Sequence, residues 1–186
     1  MRLNRAFFIR PGRDGVYGER AVKIGKSLLG KFIVRRIGQG EIAGEIVEVE
    51  IYAGPKDKAA HSFGGRVTPR NQVMYKPGGV AYVYFVYGMH WQMNVVIGRE
   101  GEPQGILIRA IKLENGSLIN GPGKVAKRLR IDGSYSGENL VLSKKLWLED
   151  RGVRISPKKI KSSGRIGIEY AGIYWRNRKW RFYISE

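Results

Sequence analysis

With 186 residues, 42% of them hydrophobic, and no cysteine, the chain can bury about two thirds of its unfolded surface in one core, and disulfides and thiolate metal sites are excluded. Its 34 Lys and Arg against 16 Asp and Glu leave a formal charge of +18, a self-repulsion that points to a polyanionic partner, nucleic acid first. No apolar run approaches the roughly 18 residues of a membrane span, and the run from Ala6 to Ile9 is far short of a secretory signal core, so a cytoplasmic or nucleoid protein is expected, nuclear in a eukaryote and not secreted.

In chain order, Val16, Ala21, Ile24, Leu28 and Leu29 recur at helical spacing, with Gly30 as a stop, predicting an amphipathic helix from Val16 to Gly30. From Lys31 the pattern changes to short β-branched runs broken by glycines: KFIVRRI, EIAGEIVEVEIY, VAYVYFVY, WQMNVVIG and GILIRAI read as strands. GPGKVAKRLRI reads as a second short helix, VLSKKLWLE and RISPKKI as edge strands, and WRFYI as a closing strand. The expected fold is α+β: one compact domain over residues 1–186, a mostly antiparallel, barrel-like sheet with peripheral helices, and a protruding hairpin. The charges scatter over strands and loops and form no single Lys/Arg helix face, which weighs against a membrane-surface protein.

Two segments carry candidate chemistry. In EIVEVEIYAGPKDKAAHS, strict alternation places Val47, Val49 and Ile51 on one strand face and Glu48, Glu50 and Tyr52 on the other. A carboxylate beside an aromatic at a strand end suits a hydrolase that deprotonates water while a ring holds a flat substrate. The same pattern also describes an ordinary solvated antiparallel strand. In YVYFVYGMHWQMN, an aromatic strand, a glycine and a second strand read as a hairpin with Gly88 at its turn. Tyr87 beside that turn is placed to act as a wedge into stacked bases, or to pack on its own hairpin. Tyr82 and Phe85 read as structural, and Tyr84 and Tyr87 as candidates.

Taken together and in order, these strings resemble the alkyladenine (3-methyladenine) DNA glycosylase family, in which a Glu-x-Tyr strand precedes Gly-Pro-x-Asp-x-Ala-x-His-Ser. Glu50, Tyr52 and Gly54 to Ser62 match that pattern. The likeness continues through GGRVTPRN, MYKPG, the YVYFVYGM hairpin, Asn94, ILIRAI around Arg109, NGPGK (Asn120 to Lys124) and RFYI, and so covers nearly the whole chain. The resemblance implies a monofunctional enzyme that excises alkylated or deaminated purines from double-stranded DNA, as a monomer and without a cofactor. By position it makes Glu50 the general base, Tyr52, His61 and Tyr84 the walls of a pocket for a flipped base, and Tyr87 the intercalating wedge. It sets Asn94 against the exocyclic amine of normal guanine and gives Arg109 a part in positioning Glu50 or the DNA backbone. Met89, Arg66, Arg70 and Lys124, with Lys76 and Arg128, are expected at or near the DNA.

Chemistry constrains these roles further. A base inside a duplex hides its sugar carbon, so the nucleotide must rotate out, at a cost of a few kcal/mol that is least for damaged or mispaired bases. A ring-methylated purine is already cationic and leaves readily, whereas neutral hypoxanthine also needs protonation as it leaves. Glycosidases commonly divide that work between two carboxylates, yet only Glu50 is well placed here, with Glu48 a weaker candidate. His61 and His90 are the sole histidines and with no cysteine cannot by themselves build the zinc site of a base deaminase. NGPGK lacks the full phosphate-loop spacing and reads as a turn opening a helix, with no nucleotide cofactor implied. Two other classes remain: a non-catalytic lesion-sensing DNA-binding protein and a basic RNA-associated structural protein.

Overall fold

The structure, a computed structural model, describes residues 1–11 and 17–185. Two short helices come first, α1 (Arg5–Phe8) and α2 (Glu19–Leu28). The predicted amphipathic helix is therefore α2, and Val16 lies outside the described residues. Its buried positions Ala21, Ile24, Gly25 and Leu28 form one stripe, and the absence of a side chain at Gly25 lets the helix close on Ile51, whose Cδ1 would lie 2.3 Å from an added Cβ. The helix thus rests on the strand that carries Glu50.

Among the described residues, nine strands form one sheet, all paired antiparallel. They are β1 (Phe32–Ile37), β2 (Gly40–Tyr52), β3 (Ala81–Val86), β4 (His90–Ile97), β5 (Gln104–Leu113), β6 (Leu118–Asn120), β7 (Leu146–Glu149), β8 (Ile160–Ser163) and β9 (Arg181–Ile184). The main path runs β3-β4-β5-β2-β1-β7, with β6 on β5, β9 on β2 and β8 on β9. The long β2 organises the sheet. One edge pairs with β5 from Gly44 to Tyr52. The other is divided, with β1 against Gly40 to Glu45 and β9 against Glu48 to Glu50. The α+β architecture agrees with the sequence reading, and the sheet stays open, with β3 and β7 at its ends.

Helix α3 (Pro122–Arg128) begins with Pro at its first turn, as NGPGK suggested, and packs on β4 and β5. The two predicted edge strands need correction. In VLSKKLWLE only Leu146–Glu149 is strand. Before it the Asn139 side chain accepts from the N–H groups of Val141 and Leu142, and Ser143 Oγ from those of Lys145 and Leu146, which diverts the backbone from a ladder. RISPKKI is not a strand: Pro157 opens a single 3-10 turn, Pro157–Lys159, and β8 starts only at Ile160. Proline has no N–H to give a sheet. The short elements α1, β6 and α4 (Ile173–Asn177) had no clear sequence signal.

Strict alternation fails at one point on β2, and that point matters. Ile46 faces Ile111, but Glu48 faces Ala110 and Val49 faces Ile108. Val47 on β2 and Arg109 on β5 are therefore extra residues in a double irregularity, the kind of bulge that re-aims side chains beside functional sites. Ile46, Val49 and Ile51 reach the core, whereas Val47, predicted with Val49 and Ile51, is only half-buried. Glu48 and Glu50 share the opposite face but are buried rather than solvated, because β9 and the chain after β8 cover that part of β2.

Candidate active site

Glu50 is completely buried. Its Oε1 accepts the backbone N–H of Ile166 at 2.8 Å and its Oε2 the hydroxyl of Tyr52 at 3.0 Å. Arg109 Nη1 lies 3.4 Å from the same Oε2. Burial pushes the Glu50 pKa up, and the Arg109 charge, the Ile166 N–H and the Tyr52 hydroxyl pull it back only in part, so it stays above the ordinary glutamate value. An ionised carboxylate offers about four lone-pair sites. The hydrogen bonds from Ile166 and Tyr52 occupy two of them, and Arg109 stands near Oε2 without hydrogen-bonding to it, so lone-pair capacity remains on the carboxylate.

Glu48 has a different task. Its Oε1 accepts from Arg109 Nε at 2.8 Å and Arg181 Nε at 2.7 Å. Burial raises its pKa, but the hydrogen bonds from Arg181 and Arg109 outweigh that and hold it below the usual range. A carboxylate so firmly ionised is a poor proton donor. It holds Arg109 through Nε, and the Nη1 of the same side chain reaches Glu50.

The groups that hold Glu50, namely Tyr52, Arg109 and Ile166, all line a cavity of about 270 Å³ that also takes in His61, Tyr84 and Asn94. Residues chosen from β2, the loop after it, β3, β4 and β5 are thus brought together. The volume lies just under the roughly 300–1,000 Å³ of drug-sized ligand sites, a scale suited to one flat base. The His61 ring meets Tyr84 edge-on, with centroids 4.5 Å apart, and Tyr82 lies 5.1 Å from Tyr84. Desolvation, aided by the charge of Arg70, lowers the His61 pKa to about 4, so the imidazole is neutral at neutral pH. Its Nδ1 is 2.8 Å from the Tyr82 hydroxyl. Burial raises the pKa of Tyr52, Tyr82 and Tyr84, so these rings are uncharged as well.

At the cavity mouth stands the turn of the β3–β4 hairpin. Met89 N–H bonds to Val86 O at 3.1 Å, and both central residues have positive φ, Tyr87 at 53° and Gly88 at 65°, the mark of a type I′ hairpin turn. Gly88 is suited to that backbone. Tyr87 is not, yet it is 80% exposed, with Met89 beside it at 67%. Phe85, read from sequence as structural, is half out in solvent and packs on Trp91 on the other side of the hairpin.

The basic candidates divide. Arg70 donates to Phe85 O at 3.1 Å and lies over the ring of Tyr84, which itself lines the cavity. Arg66 is exposed and away from the cavity lining, in the loop that Asn71 and Tyr75 tie down through its carbonyl. Lys124 and Arg128 line a separate basic cleft on α3 with Lys127 and Arg130. His90 is exposed and lies against Gly123 of α3. Among the described residues no three of His, Asp and Glu converge as metal ligands.

Several residues of the site were not identified from sequence. Tyr82 is almost fully buried and lines the cavity; the aromatic pattern of its strand placed it there but could not show which face was open. Tyr170 also lines the cavity while its hydroxyl donates to Ala59 O at 3.3 Å. Ile166 acts through its main chain, and Arg165 is a buried cation ion-paired to Asp57. Nothing local in the sequence marks either one.

A buried carboxylate behind a pocket lined by neutral aromatic rings and by Arg109, on a strongly basic chain, suits a flat heterocycle presented by a polyanion. The comparisons with known proteins agree: the family described as methylpurine-DNA glycosylase matches residues 15–186, and the chain belongs to that family. Among its relatives are proteins provisionally named 3-methyladenine DNA glycosylase. That of Borreliella burgdorferi is 41% identical over 190 residues, covering 99% of this chain and 96% of its own. The one from Natranaerobius thermophilus is 35% identical over 206 residues, covering 100% and 96%, and the one from Desulfitobacterium hafniense is 39% identical over 199 residues, covering 95% and 96%.

Proposed function

We propose that this protein is a monofunctional DNA glycosylase that rotates alkylated or deaminated purines, of the 3-methyladenine and hypoxanthine class, out of duplex DNA and hydrolyses their glycosidic bond in base excision repair. On this reading it acts as a monomer, through one domain spanning residues 1–186, in the cytoplasm or nucleoid. The observation that carries it is the buried Glu50 carboxylate, held by Tyr52, Arg109 and the Ile166 N–H directly behind the aromatic cavity.

Glu50 takes a proton from a water held at a remaining lone pair, and the water oxygen bonds to the sugar C1′. The C1′–N bond breaks, and its electron pair leaves with the purine. A ring-methylated purine starts cationic and departs neutral, so no proton donor is needed. Tyr52, Tyr84 and His61 enclose the extruded base, and aromatic stacking contributes about 1–3 kcal/mol per base. His61 and the tyrosines are neutral, so the aromatic walls set no charge of their own beside a cationic base, and the charge of Arg109 on the lining is turned onto Glu48 and Glu50. Asn94, buried beside Tyr84 on the cavity wall, obstructs the exocyclic amine of guanine. Tyr87 fills the space the base leaves in the duplex, while Lys124 and Arg128 follow the phosphates, each neutralised phosphate adding about 0.9 to the log-log salt slope.

For a neutral lesion the leaving group must gain a proton, and Glu48, committed to Arg109 and Arg181, does not supply it. Cationic lesions should therefore be excised faster than hypoxanthine. The complete enclosure of Glu50 favours one other reading, a lesion sensor that binds without turnover. Alkali-revealed cleavage of a labelled duplex bearing one damaged purine separates them. Release by the parent and none by Glu50→Gln, which still binds the lesion, establishes the glycosylase; lesion-dependent binding with no release by either protein establishes the sensor.

A further inference from the structure

We propose that the buried Asp57–Arg165 pair is a positioning device for Glu50, one that sets the Ile166 N–H on the carboxylate and fixes the ring of Tyr52. The proposal rests on the reading of Glu50 as the base. Arg165 and Asp57 both have fully buried side chains. Arg165 Nη1 donates to Asp57 Oδ2 at 2.6 Å and to Ile51 O at 2.7 Å, and its Nη2 to Asp57 Oδ1 at 2.9 Å. The guanidinium lies between two rings, 4.9 Å from the centroid of Tyr52 and 5.2 Å from that of Trp180. Asp57 also accepts from the N–H groups of Ala53 and Ala59, which fixes the loop leading from Tyr52 to His61.

One cation thereby joins the backbone of β2 at Ile51, the ring of Tyr52 and the loop of the pocket wall. The residue after it delivers its N–H to Glu50. Burying such a pair removes two charges from water, and well-packed apolar side chains would commonly stabilise a fold as well or better. What apolar side chains would not supply is this registration. Arg165 joins segments more than a hundred positions apart, since 108 residues separate it from Asp57. The charged and titratable groups facing Glu50 are Tyr52 on its own strand, Arg109 from β5, Tyr84 from β3, Arg181 from β9 and Arg165 itself.

The test compares the full-length parent with Arg165→Lys, which keeps the charge but loses the two-pronged grip, and with Asp57→Asn, which keeps the shape of the acceptor. Three quantities are read: the Glu50 titration by carboxyl ¹³C NMR, single-turnover release of a methylated purine, and affinity for the lesion duplex. A mis-set reacting group typically costs about 100-fold in rate. The expected result is a slower release of that order, an upward shift of the Glu50 titration as the Ile166 N–H loses its alignment, and a loss of affinity several-fold at most, far smaller than the loss of rate. A Glu50 titration that stays where it is in folded Arg165→Lys overturns the proposal whatever the rate. So does a parallel loss of rate, affinity and melting temperature, or failure of both variants to fold, since each assigns the pair to the scaffold. The NMR titration still reports on the pair if the parent releases no base, so the two readings fail separately.

Discussion

Glu50 sits in mid-sheet with donors from its own strand, from β5 and from the chain after β8, whereas Tyr87 at the hairpin tip is 80% exposed and held by one reverse turn. The first region spends stability on a buried charge. The second spends it on a backbone angle that a tyrosine rarely adopts. Both are strained in isolation, and each strain falls at the group proposed to act. On the proposed reading the two divide the labour: chemistry is set into the sheet, where distances are fixed, and contact with the polymer is carried on an exposed turn.

The largest effect should come from the floor. Replacing Glu50 with Gln should lower base release by about 10²–10⁴-fold, the usual worth of a positioned general base. Stability should move the other way. Since the folded pKa of Glu50 lies above the ordinary value of 4.5, the folded protein holds that proton more tightly than the unfolded chain does. The carboxyl's contribution is then complete at acid pH and lost as the pH rises through the folded pKa. Glu50→Gln should accordingly melt higher than the parent at neutral pH, and the gap should close as the pH falls; a variant less stable at neutral pH would contradict the idea that this carboxylate is held at a cost. Arg109→Met should do the opposite. It leaves Glu48 with one partner and Glu50 short of its nearest cation, and breaking a buried pair typically costs about 3–5 kcal/mol, visible in chemical denaturation as well as in activity.

The sequence made one side of this comparison easier to read than the other. Strands β2 to β5, the hairpin and the pairing of Glu50 with Tyr52 were legible because apolar alternation and a turn glycine are local signals. The bulge at Val47 and Arg109 was not, since it depends on how two strands far apart in sequence are registered. Without it, alternation put Val47 in the core and gave no reason for Arg109 to reach both glutamates. Arg165 was invisible for a similar cause: its partners Asp57 and Ile51 lie more than a hundred residues away. Tyr87 was found from its place beside Gly88, although no pattern in the sequence reveals its positive φ.

At the rim, Tyr87→Gly should separate function from stability. Glycine takes the left-handed conformation freely, so relief of strain should raise stability by roughly 1 kcal/mol. Loss of the ring should weaken lesion-duplex binding by the equivalent of about 1–3 kcal/mol, the worth of one stacked aromatic. The same change should leave the Glu50 titration untouched. Weaker binding accompanied by a lower melting temperature would mean that the tyrosine holds the hairpin together, and the contrast between rim and floor would disappear.

The smallest expected effect lies between the two regions, at His61 on the pocket wall. Its folded pKa of about 4 is below the unfolded value of 6.5, so between those values the unfolded chain binds the extra proton. Stability from the neutral ring is present above the unfolded pKa and is lost as the pH falls from about 6.5 to about 4. The ring opens onto the cavity, and solvent there screens the charge, so the loss should be modest. His61→Phe removes the titration and keeps an aromatic wall. The melting-temperature difference between parent and variant should shift in the variant's favour across this interval and stay level above it. Binding, a property of the folded protein, should change only lower, as the pH falls through the folded value of about 4, with a sign that depends on the lesion: protonating His61 places a cation beside the base, so affinity for a cationic methylpurine should fall in the parent while affinity for hypoxanthine holds. Equal behaviour of the two lesions would show that His61 does not face the base, and the pocket wall would then have to be assigned to Tyr52 and Tyr84 alone.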